Sequence, residues 1–85
     1  MTFRVEFSEL AARKFRKLDA PVRSRVAAKL RAVAVDPARY LTKLRSVAAY
    51  RLRVGDYRVV LDVDWEGRVL YVLTLGHRST VYRPD

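Results

Sequence analysis

The sequence predicts an α+β fold, a two-layer sandwich of order β-α-α-β-β-β in which an antiparallel sheet packs against an N-terminal helical hairpin. Three observations carry that expectation. Apolar residues recur at helical spacing in the first half and alternate in the second. Asp36-Pro37 stands between the halves as a stop, because the residue before a proline is driven away from the helical region. Gly55-Asp56 and Glu66-Gly67 then cut the second half into strands of meander length. With 85 residues, 51% of them hydrophobic, the chain has material for one domain over 1–85 and a single small core.

Val5 and Phe7 alternate with Arg4 and Glu6, which makes a short opening strand. Ser8 reads as an N-cap, its hydroxyl placed to accept an early backbone N–H. Ala11, Phe15 and Leu18 follow at helical spacing among Arg13, Lys14, Arg16 and Lys17. Asp19-Ala20-Pro21 interrupts that pattern. Pro21 suits the first turn of a second helix, where its missing N–H is no loss. Val22, Val26, Leu30 and Val33 then form an apolar stripe flanked by Ala27 and Ala34. Residues 38–48 carry no readable period and form a connector. Tyr50, Leu52 and Val54 alternate with Arg51 and Arg53 as a half-buried strand, Gly55-Asp56 is a two-residue turn, and residues 57–63 return. After Glu66-Gly67, residues 69–75 are nearly all apolar, which predicts a central strand covered on both faces. Gly76 ends it, and a polar, basic tail runs over residues 77–83.

Lysine and arginine total 18 against 9 acidic residues, a net charge of +9 on a small body. Such a field favours a polyanionic partner. Fourteen of the 18 cations are arginine, whose rigid fork of donors matches phosphate and whose plane stacks on rings. The absence of cysteine excludes disulfides, thiolate zinc and thiol nucleophiles. A lone histidine, His77, excludes a two-histidine ribonuclease, and no serine stands at a triad-like spacing from it. The string Asp62-x-Asp64-x-Glu66 has too few oxygens over too short a loop for calcium and reads as a solvated hairpin tip. No metal and no cofactor are expected. No apolar run approaches the ~20 residues that span a bilayer, and the start Met1-Thr2-Phe3-Arg4 lacks a signal-peptide pattern. The expectation is a cytoplasmic protein without a membrane partner.

What remains is a basic constellation. Alternation puts Arg51 and Arg53 on one face of their strand, and Arg58, just past the turn, can stand beside them. If the last strand pairs with this hairpin, His77 and Arg78 emerge near the same edge, with Tyr82 four residues beyond Arg78. Guanidiniums, an imidazole and a phenol around one surface suit a phosphodiester. The cations offset charge that builds on phosphate oxygens, and the rings move protons or stack on bases. Each residue also has a plain structural reading: Arg51 and Arg53 as a solvent face, Arg58 paired with Asp56 or Asp62, Tyr82 packed on the core. Spacing alone leaves both open.

The string Tyr50-Arg51-Leu52-Arg53-Val54-Gly55-Asp56-Tyr57-Arg58 resembles the centre of the RelE/ParE toxin superfamily. Lys43-Leu44-Arg45 ahead of it, Gly76-His77-Arg78 and Val81-Tyr82 behind it, and the opening from Phe3 to Leu18 extend the likeness over essentially the whole chain. The resemblance implies a RelE-like fold and the toxin of a type II toxin–antitoxin system. It further implies a metal-independent endoribonuclease, an mRNA interferase that enters the ribosomal A site and cuts message by attack of a ribose 2′-hydroxyl on the adjacent phosphate. The implied partners are a RelB-like antitoxin and a 70S-type ribosome carrying mRNA. Carried over, the basic residues of the second long strand are Arg51 and Arg53, the arginine after the hairpin is Arg58, and the arginine near the end of the last strand is Arg78. The tail tyrosine is Tyr82, His77 fills the slot before Arg78, and Lys43 and Arg45 are expected to touch RNA.

One departure bears on chemistry. Lysines stand at the positions of Arg51 and Arg53 in the best-known members, and an arginine does not give up its proton in a protein. A base would then be Tyr82, His77, water or a ribosomal group. Two other readings follow from the same likeness: a ParE-like poison of DNA gyrase, which does not need the basic cluster, and a catalytically silent module that binds RNA or antitoxin.

Overall fold

The computed structural model describes residues 2–45 and 48–82. It opens with β1 (Arg4–Phe7) and passes directly into α1 (Glu9–Arg16) through Ser8. The Ser8 Oγ accepts from the Ala11 N–H at 3.0 Å, the capping bond expected of that residue. α2 (Ala20–Val35) carries Pro21 in its first turn and stops at Asp36, where a proline follows. Its stripe of Val22, Val26, Leu30 and Val33 is buried throughout. Pro37 then starts one further helical turn, α3 (Pro37–Tyr40). The two-residue β2 (Thr42–Lys43) follows, so the connector holds two short elements that show no period. β3 (Tyr50–Val54), β4 (Tyr57–Asp64) and β5 (Val69–His77) complete the chain of elements.

The sheet runs in the order β1-β5-β4-β3-β2. β3, β4 and β5 form the expected antiparallel meander. β1 joins its far edge in parallel with β5, from Arg4 opposite Val69 to Phe7 opposite Val72. A parallel neighbour requires a crossover, and the helical hairpin supplies it. The helices therefore cover one sheet face. There Ala11, Val26, Leu30 and Val33 meet Leu52, Val59, Leu61, Leu70, Val72 and Leu75.

β5 departs from the sequence-based expectation. It lies inside the sheet, yet the middle of its outer face is open, for Tyr71 is 38% and Leu73 40% exposed. Its apolar run combines these exposed side chains with a break in the alternation. Val60 pairs with Thr74 while the next residue, Leu61, pairs with Val72, so Leu73 is an unpaired bulge residue. The bulge shifts the alternation, and Val72 and Leu75, three apart, both point into the core. Ser8 locks it from the helix layer: its Oγ donates to the Leu73 carbonyl at 2.8 Å and its N–H to the Val72 carbonyl at 2.9 Å. Gly76 lies within β5, opposite Arg58, rather than ending it.

Candidate active site

The sheet face turned away from the helices gathers the arginines. Arg53 stands directly opposite Arg58 across the β3–β4 ladder, and Arg51 opposite Val60. Directly opposed residues hold their Cβ atoms about 4.5–5.5 Å apart, and like charges there destabilise a sheet. Among the described residues no carboxylate comes within ion-pair range of Arg51, Arg53, Arg58 or Arg78, so Arg58 pairs with neither Asp56 nor Asp62. A like-charge pair without a counter-ion serves a ligand better than it serves the fold.

Arg58 is the best fixed of the set. It is half-buried, and its Nη1 donates to the carbonyls of Gly55 at 2.8 Å and Tyr57 at 2.9 Å. Those bonds occupy Nη1 alone and leave Nε and Nη2 for a ligand. The turn that supplies them depends on Gly55, whose φ of +58° lies in the left-handed region that a Cβ disfavours. Arg51 and Arg53 are exposed.

The tail closes the same end of the sheet. The Arg78 N–H donates to the Asp56 carbonyl at 2.8 Å, which ties the residue after β5 to the β3–β4 turn. Tyr82 is 60% exposed beside Val81, which is buried. Arg83 lies outside the described residues, as do residues 46 and 47 of the connector.

His77 does not join the arginines. It pairs with Tyr57 in the ladder, one position from the Arg58–Gly76 pair, and so shares the opposite face. Its ring meets Tyr57 edge-on at 5.5 Å. Its Nδ1 accepts from the Ser79 N–H at 3.2 Å and lies 2.8 Å from the Ser79 Oγ, a pattern that organises the turn into the tail. Lys43 pairs with Tyr50 and likewise shares the face opposite Arg51; Arg45 is exposed at the bend after β2. The acidic string stays local: Asp62 Oδ1 accepts from the Val63 N–H and Asp64 Oδ1 from the Gly67 N–H. Among the described residues no group of three metal-ligating side chains comes together.

Two features escaped the sequence reading. Leu44, Ala49, Val60 and Val81 form a small second core on the arginine face, assembled from four separate segments. Arg25 of α2 brings its Nη1 to 3.8 Å from the place a Gly55 Cβ would take, adding a cation at the hairpin turn. No local period signals either, because both depend on segments distant in the chain.

A family model describing the ParE toxin of the type II toxin–antitoxin system parDE matches residues 5–82. The chain belongs to the RelE/ParE toxin family. Within that family it is 34% identical, over 87 aligned positions, to the mRNA interferase toxin RelE of Escherichia coli strain K12, with 96% of this chain and 92% of the relative covered. The fold is that of solved RelE toxins. The RelBE2 toxin–antitoxin complex of Mycobacterium tuberculosis superposes with a TM-score of 0.86 at 24% identity, covering 93% of this chain and 94% of that one. The archaeal RelE–RelB complex from Pyrococcus horikoshii OT3 gives 0.78 at 26% identity, with 94% and 99% covered. The intact Escherichia coli RelBE complex gives 0.74 at 32%, with 88% and 95% covered. No helix among the described residues is long and apolar enough to cross a membrane.

Proposed function

We propose that this RelE/ParE family member is a metal-independent endoribonuclease that cuts messenger RNA in the ribosomal A site and is restrained by a RelB-like antitoxin in the cytoplasm. The observation that carries the reading is the unpaired arginine face, with Arg58 held by two backbone carbonyls. The similarity to a relative named mRNA interferase supports it. In the proposed reaction the ribose 2′-oxygen attacks the adjacent phosphorus, the bond to the 5′-oxygen breaks, and a 2′,3′-cyclic phosphate and a 5′-hydroxyl result. Arg58, with Arg51, Arg53 and Arg78, offsets the charge that grows on the phosphate oxygens. Tyr82 handles a proton or stacks on a base, since no arginine serves as the base. Lys43 and Arg45 reach RNA or ribosome outside the reacting face. Mapping of 5′ ends on a translated message after induction tests the reading, and cuts at A-site codons are expected.

The family model is described by a ParE toxin, and the ParE-like alternative raised by the sequence, poisoning of DNA gyrase, is the second reading. Trapped gyrase–DNA breaks with intact message would replace the first reading by it.

For the antitoxin, an apolar groove of about 370 Å³ between the helices and β1 is lined by Val5, Phe7, Phe15 and Leu30, with Arg16 and Arg31 among its walls. An acidic amphipathic helix fits that combination, its apolar stripe entering the groove and its carboxylates meeting the arginines. The solved RelE relatives seen with RelB antitoxins support a partner of this kind. At a hundredfold excess over Kd, such a partner stabilises the folded state by about 2.7 kcal/mol. The melting temperature should then rise by roughly 10 °C or more. Joint reversal of Arg16→Glu and Arg31→Glu should reduce that rise. An undiminished rise would move the partner off the groove.

A further inference from the structure

Val81 lies four residues past the end of β5 in a polar tail, yet it is only 1% exposed. It packs on Ala49 and Val60, with Leu44 alongside, on the sheet face that carries the arginines. The tail crosses β5 at Gly76, where an added Cβ would stand at ordinary contact distance, 3.6 Å from the Val81 Cα and 3.8 Å from its Cβ. The Val81 N–H donates to the His77 carbonyl at 2.9 Å, and the Arg78 N–H to the Asp56 carbonyl at 2.8 Å. Arg78 thus opens the tied segment, and Tyr82 follows its buried end. A segment this short has no helical stability of its own, so its order comes from burial. The second core also shares no residue with the main one.

We infer that Val81 is a positioning residue, the apolar plug that holds Arg78 and Tyr82 at the border of the arginine face; its importance for cleavage rests on the reading of that face as the reaction site. Neither Arg78 nor Tyr82 has another described contact that would fix it at that distance from the strands. An anchor of this kind acts on the rate at saturation. Charge that draws the protein to a polyanion is untouched by its loss, whereas alignment of the reacting groups is not.

Val81→Ser in the full chain tests this through two measurements. In hydrogen exchange, the amides of Arg78 and Val81 should lose protection while those of Leu52, Val59 and Leu61 keep theirs. On programmed ribosomes the saturating cleavage rate should fall about tenfold or more, with the half-saturating concentration held within about threefold. Val81→Ile, which keeps an apolar plug, should recover most of the rate, and Val81→Ala gives the same comparison if the serine variant does not fold. Freed tail amides with unchanged cleavage would overturn the inference, as would slowed cleavage with the tail amides still protected. If the parental protein cuts no message but Val81→Ser still frees both amides, the anchor stands and the cleavage reading falls.

Discussion

Arg58→Ala should lower single-turnover cleavage of ribosome-bound message by about 10²–10³-fold, the scale of losing one preorganised charge donor at about 3–4 kcal/mol. Arg58 heads the arginine set because its position is already set before substrate arrives. The carbonyls of Gly55 and Tyr57 hold Nη1, and Arg53 directly opposite raises the local positive potential. The variant should still fold. Arg58 belongs to neither apolar cluster, and the bonds it loses are near-surface ones worth about 0.5–1.5 kcal/mol each. Relief of the like-charge pair with Arg53 offsets part of that loss. Circular dichroism and thermal melting beside the cleavage assay check both halves. Normal cleavage by a folded Arg58→Ala protein would make the residue a brace of the hairpin turn and nothing more.

Tyr82→Phe should reduce the single-turnover rate by roughly 10²-fold, the usual magnitude of acid–base catalysis. The substitution keeps the ring and removes only the hydroxyl, so stacking survives and proton transfer does not. Tyr82 is 60% exposed, and the residue before it is seated on the arginine face, which leaves the phenol accessible to a bound strand. His77→Gln is the contrasting case. Its ring lies on the Tyr57 face and serves the Ser79 turn, so its loss should cost no more than roughly threefold, well below an acid–base effect. Single-turnover rates at saturating toxin separate the two. A dead His77→Gln beside a fully active Tyr82→Phe would reverse the roles. Two fully active variants would leave proton transfer to the ribosome or solvent.

Much of this architecture is legible in the chain because its signals are local. The Ser8 cap, the Val22–Val26–Leu30–Val33 stripe, the Pro21 and Pro37 boundaries and the Gly55 turn each rest on a few neighbouring residues, and each appears where its chemistry puts it. Strand alternation likewise places Arg51, Arg53 and Arg58 on one face. The misplaced residues are those whose position depends on distant pairing. Residues 69–75 look two-sided because the Leu73 bulge lets Leu75 join Val72 in the core and because Tyr71 and Leu73 are apolar although exposed. The same bulge decides the fate of His77. Counting in strict alternation from Val72, His77 would face the arginines and Gly76 the helices; the unpaired residue exchanges them. The Val81 seat needs residues near 44, 49, 60 and 76 at once, which no window of sequence displays.

The Leu73 bulge also sets which changes of chain length this protein can survive. Deleting Leu73 itself would restore a regular ladder and leave Gly76 opposite Arg58 and His77 opposite Tyr57, whereas losing a residue after it with the bulge kept would turn over the strand end and put His77 on the arginine face. The turn between Arg78 and Val81 is under no such parity rule. It is tied at its two ends, and what lies between them faces solvent at Ser79 and Thr80. Extra residues can loop out there while both ends keep their places. In an evolving lineage, changes of length should therefore collect in the tail and at the bulge, and stay out of the paired run from Thr74 to His77, where one lost residue changes which side chains share the arginine face.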